Sequence, residues 1–148
     1  MIKIITGDIL ESNANVICHQ VNEDGYMGGG LAYSIANRYP EVEEEYALYC
    51  AGFENKEDLY GDCFICEYDE DKYIANCFTQ RNFVTNIQDI ENVFNILIPK
   101  CKKLGLTIAM PYNYGCGIAK GNWIDVYNTI EEISNKYDYE VEVYKLED

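Results

Sequence analysis

The stretch "NEDGYMGGGLAYSIANRYP", residues 22–40, changes from loop to helix across three consecutive glycines. Behind them Leu31, Ser34, Ile35 and Arg38 recur at helical spacing, and Pro40 ends the run. Gly28, Gly29 and Gly30 therefore stand at a helix entry, although glycine costs roughly 1 kcal/mol against alanine inside a helix. Two causes explain such a choice: a sharp backbone turn, or something that comes very close to the backbone.

Working outward, the chain alternates. "IKII" (2–5) and "NVICH" (15–19) are short apolar strands, and Pro40-Glu41 opens a second helix over 41–52 with acids in its first turn. "DCFICEY" (62–68) and "KYIANCF" (72–78), separated by "DED", predict a β-hairpin. Ile87, Ile90, Val93, Phe94 and Leu97 line one face of a helix over 87–105, which Pro99 should kink or shorten. A strand (106–110), an amphipathic helix (123–137) and a closing strand (140–146) follow. The reading is an α/β fold, a three-layer α/β/α sandwich on a mixed, mostly parallel sheet, with residues 1–148 as one domain.

Twenty-six acidic against eleven basic residues leave a net charge of −15, which repels a nucleic-acid backbone and argues against general nucleic-acid binding. No apolar run reaches the ~18 residues of a membrane span, and the N-terminus lacks a signal peptide's apolar core. An odd count of seven cysteines then suits reduced thiols in a cytoplasm. An anionic ligand would have to be held by local donors, of which backbone amides are the obvious kind.

A second glycine cluster, "PYNYGCGIAKGNW" (111–123), repeats the arrangement of the first: it follows a strand and precedes a helix. Helix-entry amides lack internal partners and sit at the positive end of the dipole, so both clusters suit a phosphate. Two such loops at the carboxyl ends of strands form the walls of one crevice. The alternative is a pair of tight turns with no ligand.

"TGDIL" (6–10), "NVICHQVN" with "GYMGGGLAYSIANRYPEVEEEY" (15–46) and "MPYNYGCGIAKGNW" (110–123) together resemble the macrodomain family, which binds ADP-ribose. The likeness runs the length of the chain and is strongest to the branch with ADP-ribose-1″-phosphate phosphatases and terminal ADP-ribose protein glycohydrolase. It implies that Asp8 accepts from the adenine amino group and the Ile9 amide donates to the ring. It also implies that Gly28, Gly29, Gly30 and Leu31 line the diphosphate and distal ribose from one side. Tyr114, Gly115, Cys116, Gly117 and Ile118 would line them from the other.

The family's hydrolytic residues do not carry over. Where many members have Asn-Ala-Ala-Asn, this chain has His19-Gln20-Val21-Asn22, and where they have an aspartate after the glycines it has Leu31-Ala32. The glycohydrolase lysine is missing from Phe78-Thr79-Gln80-Arg81, and the aspartate of that branch is Ala119. His19, Asn22 and Asp24 remain as catalytic candidates, with Glu23 and Cys116 beside them. His19 is the one histidine, its ordinary pKa of ~6.5 suits acid–base work, and the alternative is an imidazole hydrogen-bonded within the sheet.

Cys63 and Cys66 have half a zinc-site spacing, but in a strand positions i and i+3 face opposite ways, so no metal is expected and no cofactor is implied. Tyr114 or Tyr144 could stack on a base or ribose. Two function classes follow: an enzyme hydrolysing an ADP-ribose derivative (the 1″-phosphate, an O-acyl ester or a protein-linked mono-ADP-ribose), or a non-catalytic ADP-ribose binding module. The partner is ADP-ribose or a derivative, including an ADP-ribosylated macromolecule, and not a membrane.

Overall fold

The computed structural model describes residues 1–147; Asp148, the last residue of the expected domain, lies outside them. The strands are β1 (Ile2–Thr6), β2 (Val16–Gln20), β3 (Cys63–Asp69), β4 (Lys72–Cys77), β5 (Gln80–Arg81), β6 (Val84–Thr85), β7 (Ile108–Pro111) and β8 (Val141–Lys145). The helices are α1 (Gly30–Arg38), α2 (Pro40–Ala51), α3 (Ile87–Leu104) and α4 (Trp123–Lys136). The main sheet has the order β1-β8-β7-β2-β4-β3, parallel throughout except for the antiparallel β3–β4 hairpin.

Alternation along the strands builds the layers. Val16 and Cys18 face α3 and α4 together with Ile108 and Met110, whereas Ile17 and Ala109 face α1 and α2. Each face closes its own core, around Phe94 and Ile130 on one side and around Ile35 and Tyr46 on the other. The expected sandwich is what forms. The alternation also separates Cys63 from Cys66, which pack into opposite cores.

Local chemistry sets the helix ends. The Asn86 and Asn122 side chains cap α3 and α4 by accepting from Asp89 N and Asp125 N, Pro40 occupies the first position of α2, and Gly105 closes α3 at φ +72°. The shortening expected at Pro99 does not occur, and α3 continues to Leu104. Proline has no N–H to offer the Asn95 carbonyl one turn back, and the Tyr137 hydroxyl donates to that carbonyl instead, at 3.4 Å. A tertiary partner from the end of α4 thus replaces the missing helical bond. The 106–110 strand begins two residues later than expected, and β5–β6 with the 3-10 turns Ile9–Glu11 and Lys56–Leu59 were not read from the sequence.

Candidate functional site

The carboxyl ends of β2 and β7, the entry of α1 and the 111–122 loop enclose a two-lobed cleft. One lobe, about 670 Å³, runs from His19, Gln20 and Asn22 past Gly28–Ala32 to Gln80, Phe83, Tyr114, Gly115 and the 117–119 segment. The other, about 660 Å³, is lined by Asp8, Ile9, Ser34, Tyr144 and Lys145 among others. Gly30, Leu31, Pro111, Tyr112 and Asn113 belong to both, so the lobes are continuous. The two glycine clusters therefore do face one another across one crevice.

The glycines serve different ends. Gly30 begins α1 at φ +58°, and Gly115 sits at φ +70°, conformations that side chains resist. A Cβ on Gly28 would lie 2.3 Å from the Tyr26 ring, so this glycine seats a side chain. Gly29 and Gly117 differ from these. Gly29 is extended, at φ −153°, with its nearest neighbour, Ile118 Cδ1, 3.5 Å from where a Cβ would stand, and a Cβ on Gly117 would meet nothing within 4 Å. Neither backbone strain nor packing requires these two, and both open onto the first lobe. No side chain caps α1, so the amides at its entry meet the cleft without a capping oxygen.

A ring of hydrogen bonds holds the second glycine loop. Thr79 Oγ1 donates to Gln20 Oε1 at 2.7 Å, so it accepts from the Tyr114 hydroxyl, which donates to it, also at 2.7 Å. Gln20 Nε2 donates to Thr85 Oγ1 at 3.1 Å, and the Thr85 hydroxyl donates to the Gly115 carbonyl, which brings the ring back to the residue after Tyr114. Gly121 N also donates to that carbonyl, at 2.8 Å. Gln20, Thr79 and Thr85 are positioning residues that the sequence reading missed, and no local pattern marks three polar residues on three separate segments. Tyr114 is buried in this ring and against Phe94, so its ring is not free to stack on a ligand. Tyr144 stays half-buried in the wall of the second lobe.

The polar candidates at the first lobe are tied to the protein. His19 is 2% exposed, and its Nε2 faces Asn76 Oδ1 at 2.7 Å. Asn76 Nδ2 donates to the Phe64 carbonyl, which fixes the amide so that Nε2 carries the proton and Nδ1 is left as a buried acceptor with no protein partner. Burial pulls the imidazole down to about 4, against the Asn76 bond, so the titration near neutrality expected of His19 does not hold. The cause is tertiary: β2 is an interior strand and His19 lies within it.

Asn22 uses its whole side chain as a brace. Its Oδ1 accepts from Asp24 N at 2.9 Å and from the Tyr46 hydroxyl at 2.8 Å, while Nδ2 donates to the Tyr26 carbonyl at 2.9 Å. Asp24 is exposed and stands outside the lining of either lobe. Glu23 is buried, with Oε1 accepting from the Tyr60 hydroxyl (3.3 Å) and from Asn82 N (3.2 Å) and Oε2 unpartnered. Asp8 accepts from Leu10 N at 2.9 Å as the cap of the first 3-10 turn and also lines the second lobe beside Ile9. The Cys116 thiol donates to the Tyr114 carbonyl at 3.2 Å, burial raises its pKa, and it is not among the lining residues.

The β5–β6 hairpin closes the far end of the first lobe. Its two-residue turn has Asn82 at φ +50° and Phe83 at φ +64°, the signature of a type I′ turn, and a bulky residue there is strained by about 1 kcal/mol or more. Arg81 turns away from the lobe and makes a bidentate pair with buried Asp89 at 2.8 and 2.9 Å, its guanidinium 4.9 Å from the Tyr60 ring centre. Among the described residues that line the first lobe, none carries a charged side chain.

No family model matches the chain. It is 35% identical over 79 residues to the ADP-ribose 1″-phosphate phosphatase of Candida glabrata, a match covering 51% of this chain and 43% of that protein. The chain thus spans less than half the length of that relative. It is 24% identical over 149 aligned positions to the human ADP-ribose glycohydrolase OARD1, covering 98% of this chain and 91% of that one. Among solved structures, the macrodomain of Mycobacterium tuberculosis DarG superposes with a TM-score of 0.83 at 26% identity, over 97% of both chains. The sheet order and these likenesses together give the chain the macrodomain fold, with two glycine loops facing one another across its cleft.

Proposed function

We propose that this macrodomain binds ADP-ribose in the two-lobed cleft and hydrolyses a derivative at the distal ribose. Gly29 and Gly117 carry the reading, because each leaves open space that the fold itself does not need. A diphosphate between the two loops would meet the uncapped amides at the α1 entry and those of the 115–118 segment, which bind about two charges without a lysine. Adenine then takes the second lobe, with Asp8 as acceptor through the oxygen that does not cap Leu10 and the Ile9 amide as donor. The distal ribose takes the first.

In this reading His19 acts as a neutral acceptor through Nδ1, Asn22 holds the 22–26 loop in register, and Asp24 supplies an exposed carboxylate from the same loop. The substrate is one of the three derivatives named above, an ADP-ribosylated macromolecule included, and residues 1–148 act as one domain. A cytoplasmic setting fits seven cysteines that are all free thiols. Among the described residues, no helix is long and apolar enough to cross a membrane.

One observation favours a second reading, a binding module without turnover. The first lobe has no charged side chain among its described lining residues, and His19 is neutral down to about pH 4. Calorimetry with ADP-ribose and AMP, beside turnover assays on the three derivatives, separates the readings. ADP-ribose should bind and AMP should bind more weakly. A hundredfold excess over Kd stabilises by about 2.7 kcal/mol, worth about 5–10 °C in Tm for a chain of this size. Absence of any thermal shift at millimolar ADP-ribose would remove both readings, and binding without turnover of any derivative would leave the module.

A further inference from the structure

Phe83 is the least expected residue at the cleft. It holds the second turn position of the β5–β6 hairpin at φ +64°, where glycine is the ordinary choice, and is still 48% exposed. Its side chain is therefore not retained for the core. It lines the first lobe, in company with Tyr26, 69% exposed, and Ile118, 80% exposed. Large apolar groups left open to water in the wall of one cavity mark a surface built for a partner. Glu23 fixes the turn by accepting from Asn82 N. Tyr26 is seated over Gly28, which has no Cβ to displace it.

We propose that Phe83, with Tyr26 and Ile118, selects ADP-ribose derivatives whose distal ribose carries an uncharged apolar group, and disfavours a terminal phosphate. The inference rests on the ADP-ribose reading above. A phosphate there would bring up to two more negative charges into a lobe with no cationic lining residue, on a chain of net charge −15. Arg81, the cation nearest in sequence to Phe83, is neutralised by Asp89. An acyl or aryl substituent would instead cover the three exposed side chains.

Calorimetry compares three probes on the intact protein: ADP-ribose, ADP-ribose 1″-phosphate and 1″-O-benzyl-ADP-ribose. The benzyl compound should bind on the order of tenfold more tightly than ADP-ribose, and the 1″-phosphate more weakly. In Phe83→Gly the ratio of the two Kd values, ADP-ribose to benzyl compound, should fall towards one. The same substitution should raise Tm, because glycine relieves the positive-φ turn, whereas loss of a packing residue would lower it. Equal affinity for benzyl compound and ADP-ribose, tighter binding of the 1″-phosphate, or a ratio unmoved by Phe83→Gly would each overturn the proposal. Failure of ADP-ribose itself to bind would be a different result, and would remove the underlying site.

Discussion

Ile118 Cδ1 lies 3.5 Å from the point where a Cβ on Gly29 would stand, so the two glycine loops come within one side chain's reach of each other across the cleft. This spacing sets the α1 entry opposite the 111–122 loop, a segment nearly ninety residues away in sequence. It also defines what a substitution at Gly29 would do. A branched side chain there meets ligand space and the tip of Ile118, not the core.

Gly29→Val and Gly117→Val should therefore abolish ADP-ribose binding with little change in Tm or in the circular dichroism spectrum. Gly115→Ala should behave in the opposite way. Its φ is +70°, and an added Cβ would stand 2.8 Å from Thr85 Oγ1 and 3.0 Å from Gln20 Oε1, so stability should fall by about 1–3 kcal/mol. Thermal melts beside calorimetry distinguish the classes. Normal binding by both valine variants would place the ligand away from the two glycines.

Stability should depend on pH through His19. The folded imidazole titrates at about 4, whereas the unfolded one keeps its ordinary 6.5. Above pH 6.5 both states are neutral and the contribution is fully present. As pH falls from 6.5 towards 4, the unfolded chain takes a proton that the folded chain refuses, and roughly 3 kcal/mol is lost. Urea midpoints measured from pH 7.5 to 4 should fall more steeply for the wild type than for His19→Gln. Parallel curves would mean that the imidazole is not depressed. Any turnover should likewise show no His19 inflection between pH 5 and 8.

Tyr114→Phe should open the hydrogen-bond ring. It removes the donor to Thr79 Oγ1 and leaves a buried hydroxyl short of a partner, costing about 1–2 kcal/mol, or about 2–8 °C in Tm. Because the ring ends on the Gly115 carbonyl, ADP-ribose affinity should fall as well. A drop in Tm with unchanged affinity would separate the ring from the ligand loop.

Asn22→Ala should weaken both affinity and any turnover. The substitution frees Asp24 N and the Tyr26 carbonyl, and the Tyr46 hydroxyl keeps only the residue 22 carbonyl, at 2.6 Å. The 22–26 loop, which presents Tyr26 to the cleft, loses its internal brace. Affinity unchanged within twofold would limit Asn22 to a purely local role.

Periodicity and punctuation determined the layers of this protein. The apolar strand over 15–19, the helical spacing from Ile87 to Leu97, and Pro40 at the start of a helix act through neighbours in the chain, so they are legible in a linear string. The facing glycine loops were legible too, because a strand that ends in a glycine-rich helix entry fixes where its amides open. Side-chain chemistry was decided elsewhere. His19 reads as a neutral-pH titrator until the fold buries it against Asn76 of β4, and Asn22 reads as a catalytic candidate until Tyr46 and the Tyr26 carbonyl engage its side chain. Pro99 reads as a kink or an early end of its helix, whereas the helix runs on to Leu104 and Tyr137 reaches the orphaned carbonyl. Phe83 stands where a turn would announce itself with glycine, and so conceals the hairpin that carries it. Burial and hydrogen-bond partners depend on segments remote in sequence, and only the tertiary structure brings those together.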